Sequence, residues 1–193
     1  KLAYLPDALT GVRLRLSIYG GESEDNQARI DAQIESLKDL IGDHIYSYDD
    51  DTLQNSIGKL LKAAGKTVSA AESCTGGLIS SMFTSMAGSS EYYLGSVTSY
   101  ANQVKTQVLG VPNEVIAEHG AVSEECVAAM AEGVRRITGS DFSVATSGIA
   151  GPGGGTDTKP VGLVCIGVSS QMGTETYKMV FKGDRKRNID RFA

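Results

Sequence analysis

The stretch Ser69-Ala70-Ala71-Glu72-Ser73-Cys74-Thr75-Gly76-Gly77-Leu78 constrains this chain more than any other. Small residues suited to a buried strand run into a turn of hydroxyl, thiol and glycine, and a helical pattern follows. Adjacent glycines let the backbone approach a ligand, because no Cβ intervenes. The first amides of a helix lack intrahelical partners, so they are open to an anion or a developing oxyanion. Ser73 stands where a nucleophile would be useful, with Thr75, Gly76 and Gly77 around it. A blander role, Ser73 and Thr75 as simple helix caps, stays open at this point.

The rest of the chain alternates strands and helices. Residues 67–71 read as the strand that delivers Ser73, 78–86 as the helix after it, and 92–100 as a strand rich in Tyr, Val and Thr. Asn102 reads as the N-cap of a short helix over 103–109, closed by Gly110. Ser123 caps a longer helix with Val127, Met130, Ala131 and Val134 on one face, ended by Gly139. Phe142 to Ser147 is a strand leading into a glycine-rich loop from Gly148 to Gly155, and 161–169 with 174–181 read as a hairpin. This order predicts an α/β fold: a three-layer α/β/α sandwich with a mixed sheet.

Residues 1 to about 50 read as a separate small α+β module. It has an alternating strand at 12–18, a helix over 26–41 with Ile30, Ile34, Leu37 and Ile41 on one face, and a short strand at Ile45-Tyr46-Ser47-Tyr48. The acidic run Asp49-Asp50-Asp51 marks the boundary, and a helix over 52–64 follows with Leu53, Ile57, Leu60 and Leu61 on one face. The chain opens without Met and stops near Asp190 as a helix begins, so a fragment of a longer polypeptide is expected.

Composition narrows the function. A net charge of −5 argues against nucleic-acid binding, which needs clustered cations. The three cysteines, Cys74, Cys126 and Cys165, are odd in number and show no CxxC spacing. They fit a reducing compartment and argue against a structural zinc. No membrane-spanning run or signal peptide is evident, so a cytoplasmic location is expected, with no membrane partner. A hydrophobic content of 41% suffices for a packed core.

Three loops would gather at one end of such a sheet: the Ser73 turn, residues 100–105, and residues 148–159. They suggest a serine hydrolase without the usual histidine. Of the two histidines, His44 belongs to the first module, and His119, closing a short helix before Gly120, is the one triad candidate. Lys105 is the better base, since the start of a helix disfavours its charge and burial would lower its pKa further. Tyr100 could share a proton network with the pair. Cys74 is a rival nucleophile. The Gly148 loop has neither a Gly-Lys-Ser/Thr ending nor GxGxxG spacing, but its amides could form an anion nest. Gly183-Asp184-Arg185 follows the last strand at a helix start, and Arg185 could clamp a phosphate or simply be solvated.

Taken together, Ala71-Glu72-Ser73-Cys74-Thr75-Gly76-Gly77, Ala87-Gly88-Ser89-Ser90, Tyr100-Ala101-Asn102-Gln103-Val104-Lys105, His119-Gly120-Ala121-Val122-Ser123, Ser147-Gly148-Ile149-Ala150-Gly151-Pro152, Lys159-Pro160-Val161-Gly162 and Gly183-Asp184-Arg185 resemble, in order, the C-terminal domain of the CinA family. Leu2-Ala3-Tyr4-Leu5-Pro6 and the strand after it resemble that family's KH-like linker domain. The resemblance implies residues 1–50 as a partial KH-like module and 51–193 as a nicotinamide-nucleotide amidase domain. Such a domain converts nicotinamide mononucleotide to nicotinate mononucleotide and ammonia, with no metal or other cofactor in it. Ser73 would be the nucleophile and Lys105 the general base, with Tyr100 assisting. Thr75, Gly76, Gly77, Asn102, Gly148, Ile149, Ala150, Gly151 and Arg185 would contact the substrate. The resemblance also implies a homodimer and a pyrophosphatase-like domain ahead of the linker. The family more often reads Tyr-Ser-Asn where this chain has Ala101; if that hydroxyl supports the dyad, activity here is reduced. Adjacent Gly20 and Gly21 do not make a GxxG clamp, so no RNA binding is inferred. A catalytically silent nucleotide-binding or oligomerisation domain is the alternative, as is a thiol amidase using Cys74.

Overall fold

The computed structural model describes residues 1–7, 11–49 and 51–193. Asp50, the middle of the expected acidic boundary, lies outside the described residues. The chain divides into two compact units, residues 1–56 and 57–193. The division falls within α2 (Leu53–Ala64), a few residues beyond the acidic run.

In the first unit, β1 (Leu2–Asp7) pairs antiparallel with β2 (Gly11–Leu16) along its whole length. The long helix α1 (Ser23–Ile41) follows. Its Ile30, Ile34, Leu37 and Ile41 are half-buried, and none of its residues is fully buried. The expected strand at 45–48 is not formed: β1 takes the paired edge of β2, and the Ser47 hydroxyl closes a local turn with Asp49. The described residues do not form the KH-like module implied by the resemblance either. The described residues 1–49 hold one hairpin and one long helix, with no third strand to extend a sheet on which helices could pack.

The second unit is built on a five-stranded mixed sheet in the order β4-β3-β5-β6-β7. Its strands are β3 (Val68–Glu72), β4 (Tyr93–Thr98), β5 (Phe142–Gly148), β6 (Leu163–Ser170) and β7 (Gly173–Val180). The first three are mutually parallel, and β6 and β7 add antiparallel as the hairpin read from the sequence. Alternation along β3 sends Ala71 to one face and Val68 and Ala70 to the other. On the first face lies α6 (Glu124–Thr138), which buries Cys126, Val127, Met130, Ala131 and Val134. Burying each larger aliphatic side chain there contributes about 1.5–3 kcal/mol. The Ser123 hydroxyl accepts the Cys126 amide as the expected N-cap, and Gly139 closes the other end.

The opposite face is covered by α2, α3 (Leu78–Thr84) and α7 (Arg185–Phe192). Ile57 and Leu61 of α2 pack on the core with Ile79 and Phe83 of α3, whereas Leu60 is exposed. The last helix begins at Arg185, capped by Asp184, at the helix start read from Gly183-Asp184-Arg185, and Asp190 lies inside it. The close approach of α6 depends on a glycine: a Cβ on Gly133 would stand 2.1 Å from the Leu109 carbonyl oxygen.

Candidate functional site

β3 ends at Glu72, and the Ser73 amide is held by the Thr146 carbonyl of β5 at 3.0 Å. The chain then turns through Gly76 and Gly77, both at positive φ (64° and 105°), which residues with a Cβ rarely adopt. Ser73 is 8% exposed. The Thr75 hydroxyl meets the Thr146 hydroxyl at 2.9 Å, so this side chain ties the turn to the sheet. The amides of Gly76 and Gly77 are already engaged, by the Ser73 carbonyl and the Glu72 carboxylate. Among the described residues, neither the Thr75 amide nor the Cys74 amide has a hydrogen-bonded carbonyl acceptor.

Lys105 belongs to α4 (Asn102–Gln107) and is 1% exposed. Its Nζ lies 3.0 Å from Ser73 Oγ, 2.6 Å from the Ser99 carbonyl and 3.4 Å from the Tyr100 carbonyl. Burial pushes its amine below the ordinary lysine range, against weaker opposing effects of Cys126 and Cys74. The expected cause was partly different: Lys105 sits in the last turn of α4, where a helix dipole favours positive charge, so burial carries the shift.

Ala101, not Asn102, is the N-cap of α4, and no side chain caps it. Asn102 is exposed on the first turn. A serine at 101 would therefore cap the helix, rather than having a role confined to the dyad. We expect Ala101→Ser to raise stability by about 1 kcal/mol in urea denaturation with kcat unchanged.

Tyr100 contributes its carbonyl to Lys105, but its ring is 66% exposed and its hydroxyl lies 3.4 Å from Arg185 Nη2. Arg185 Nη1 donates to the Gly151 carbonyl at 2.7 Å, which brings α7, Tyr100 and the glycine loop together. The Ile149 amide bonds the Leu163 carbonyl, and Ala150 and Gly151 are buried behind it. Gly148 packs tightly: a Cβ there would lie 2.7 Å from the Leu163 carbonyl oxygen and 3.2 Å from Cys74 Sγ.

Cys74 is buried, and burial pushes its thiol up to about 12. At neutral pH it is protonated, which disfavours it as the nucleophile. His119 is half-exposed beside Glu118 and Glu125 at the end of α5 (Asn113–His119), and among the described residues no hydrogen bond joins its side chain to Ser73. Sequence reasoning passed over Asn188. It is fully buried on α7, and its side-chain amide donates to the Ala150 and Gly183 carbonyls. The signal was there in its placement four residues before Phe192, the other buried residue of that helix.

No helix among the described residues is long and apolar enough to cross a membrane. The family model described as CinA C-terminal domain matches residues 50–193. A CinA-like protein of Chloroherpeton thalassium is 45% identical over 196 aligned residues, which take in 100% of this chain and 46% of that protein. One from Cytophaga hutchinsonii is 46% identical over 97% of this chain and 45% of its own length. The chain thus spans less than half the length of these curated relatives. Among solved structures, a competence damage-inducible protein A from Klebsiella pneumoniae superposes with a TM-score of 0.70 at 36% identity, over 72% of this chain and 86% of that one. A competence/damage inducible protein from Agrobacterium tumefaciens gives 0.69 at 37% identity, over 71% and 84%. The family model covers most of the chain, and the chain belongs to the CinA family through the C-terminal domain that holds Ser73 and Lys105.

Proposed function

We propose that this domain hydrolyses the carboxamide of nicotinamide mononucleotide to nicotinate mononucleotide and ammonia, through an acyl-enzyme on Ser73. The carrying observation is the buried Lys105 Nζ at 3.0 Å from Ser73 Oγ, with two carbonyls beside it. A neutral amine has two N–H bonds and one lone pair. The Ser99 and Tyr100 carbonyls accept the two N–H groups, which aims the lone pair at the serine hydroxyl. Once protonated, the ammonium still has three acceptors for its three donors, counting Ser73 Oγ. Both states the reaction needs are satisfied without moving the side chain.

Ser73 Oγ attacks the carboxamide carbon while its proton passes to Lys105. The oxyanion takes donors from the Thr75 and Cys74 amides. Lys105 returns the proton to the departing nitrogen, ammonia leaves, and the acyl-enzyme remains. Water then gives its proton to Lys105 and attacks the ester carbon. Ser73 recovers a proton as nicotinate mononucleotide departs. Arg185, exposed beside Gly151 and Tyr100, is the cation we assign to the substrate phosphate. The choice of this nucleotide follows the family resemblance; the acyl-transfer chemistry follows the dyad.

The test is ammonia release with the nucleotide as sole substrate. Stoichiometric ammonia and nicotinate mononucleotide are expected. Calorimetric binding without turnover would favour the silent nucleotide-binding reading.

A further inference from the structure

Glu72 is a carboxylate with no exposed surface, the last residue of β3 and the residue before the nucleophile. Strand alternation puts it on the α3 side with Val68 and Ala70. Its Oε2 accepts the Gly77 and Ile79 amides, each at 3.0 Å, and its Oε1 accepts the Ser80 amide at 2.9 Å. These are donors that the first turn of a helix otherwise leaves unpaired. Helices usually satisfy them with a side chain at the cap itself. Here the cap is Gly77, with no side chain, and the acceptor comes from five residues back, across the Ser73 turn. The carboxylate therefore fixes where α3 starts relative to the strand end, and Ser73 is spanned between those two points.

The backbone of the same residue reaches the other half of the dyad. The Glu72 carbonyl accepts the Ser99 amide at 2.7 Å, and the Ser99 hydroxyl lies 3.5 Å from it. The Ser99 carbonyl is in turn the nearest acceptor of Lys105 Nζ. Ser99, like Glu72, has no exposed surface, so this chain of contacts is enclosed in the fold.

We propose that Glu72 is the positioning residue of the dyad: its carboxylate seats the Ser73 turn, and its carbonyl, through Ser99, seats Lys105, so that Oγ and Nζ meet at reacting distance. The same carboxylate fills the start of α3, so that helix end does not receive the substrate's phosphate. The proposal rests on Ser73 being the nucleophile. It does not depend on which amide is cleaved.

The experiment is the rate of covalent labelling of Ser73 by a fluorophosphonate probe, measured as a rate constant per labelled site on the wild type and on Glu72→Gln. In the variant an NH2 replaces one accepting oxygen and faces a backbone donor, so the turn must shift. We expect the rate constant to fall about 100-fold, the scale on which a misplacement of about 1 Å acts. A merely structural role would lower the fraction of protein that labels and leave the rate constant at the wild-type value, which would overturn the proposal. Glu72→Asp, which keeps the charge but is one methylene shorter, serves if Glu72→Gln does not fold. It should also slow labelling per site, and an unchanged rate constant there counts against the proposal equally. A wild type that leaves Ser73 unlabelled would overturn the nucleophile assignment itself, and this proposal with it.

Discussion

Replacing Ser73 by alanine is expected to lower kcat for ammonia release from nicotinamide mononucleotide by about 10⁴-fold or more, with KM changed little. In the proposed mechanism the hydroxyl oxygen bonds to substrate carbon, and no neighbour can substitute for it. Cys74, adjacent in sequence, is the obvious understudy, but its sulfur packs toward Gly148 in a buried cluster and its thiol is held at about 12. The alanine itself should be tolerated. Ser73 is anchored by its backbone amide to the Thr146 carbonyl, which the substitution leaves intact. The one partner it abandons is Lys105, whose amine keeps the Ser99 and Tyr100 carbonyls. Full retention of ammonia release in Ser73→Ala would refute the acyl-enzyme. Loss of turnover with retained nucleotide affinity by calorimetry would support it.

The sheet and its order of helices were legible because burial imposes a period. The helix over residues 124–138 announces itself by Val127, Met130, Ala131 and Val134 on one face, with a serine cap and a glycine stop. The hairpin of β6 and β7 shows as two strand-rich runs around Gln171-Met172-Gly173. Residues 45–48 misled for the same reason: a short alternating run is a strand only if a partner edge receives it, and pairing is a non-local fact. The candidate site was legible as a set of residues but not as an arrangement. Local pattern brings Ser73 to a turn and Lys105 to a helix; it cannot say that the lysine points inward. Lys105 is enclosed because β4 runs parallel to β3 and ends beside it, so the Ser99 segment passes next to the Ser73 turn. Likewise, Glu72 reads as one acidic residue in a small-residue strand. That a carboxylate belongs there follows only once the three amides of α3 are seen to converge on it.

Replacing Lys105 by methionine is expected to lower kcat by about 10²–10⁴-fold, the range for loss of a general base. Methionine suits a buried site of this length and cannot take a proton. It deprives the Ser99 carbonyl of its 2.6 Å donor, a loss of about 1–3 kcal/mol for a buried acceptor, while also removing the cost of burying an amine that can charge. The two changes oppose each other, so the fold should survive and the kinetic effect can be read directly. The pH dependence gives the sharper test. Burial lowers the folded-state pKa of Lys105 below its unfolded value of about 10.4. With the neutral amine as the proposed base, wild-type kcat should rise with pH through the folded value and level off above it. The Lys105 contribution to stability carries the same sign: between the two values its amine is protonated in the unfolded chain and neutral in the folded one, so that contribution rises with pH across the window. In Lys105→Met the acidic limb of kcat and this one contribution to stability should vanish, and Ser73→Ala/Lys105→Met should be no slower than Ser73→Ala, because the two groups act as one unit. An acidic limb that persists unchanged in Lys105→Met would assign the titrating base to another residue and remove Lys105 from the reaction.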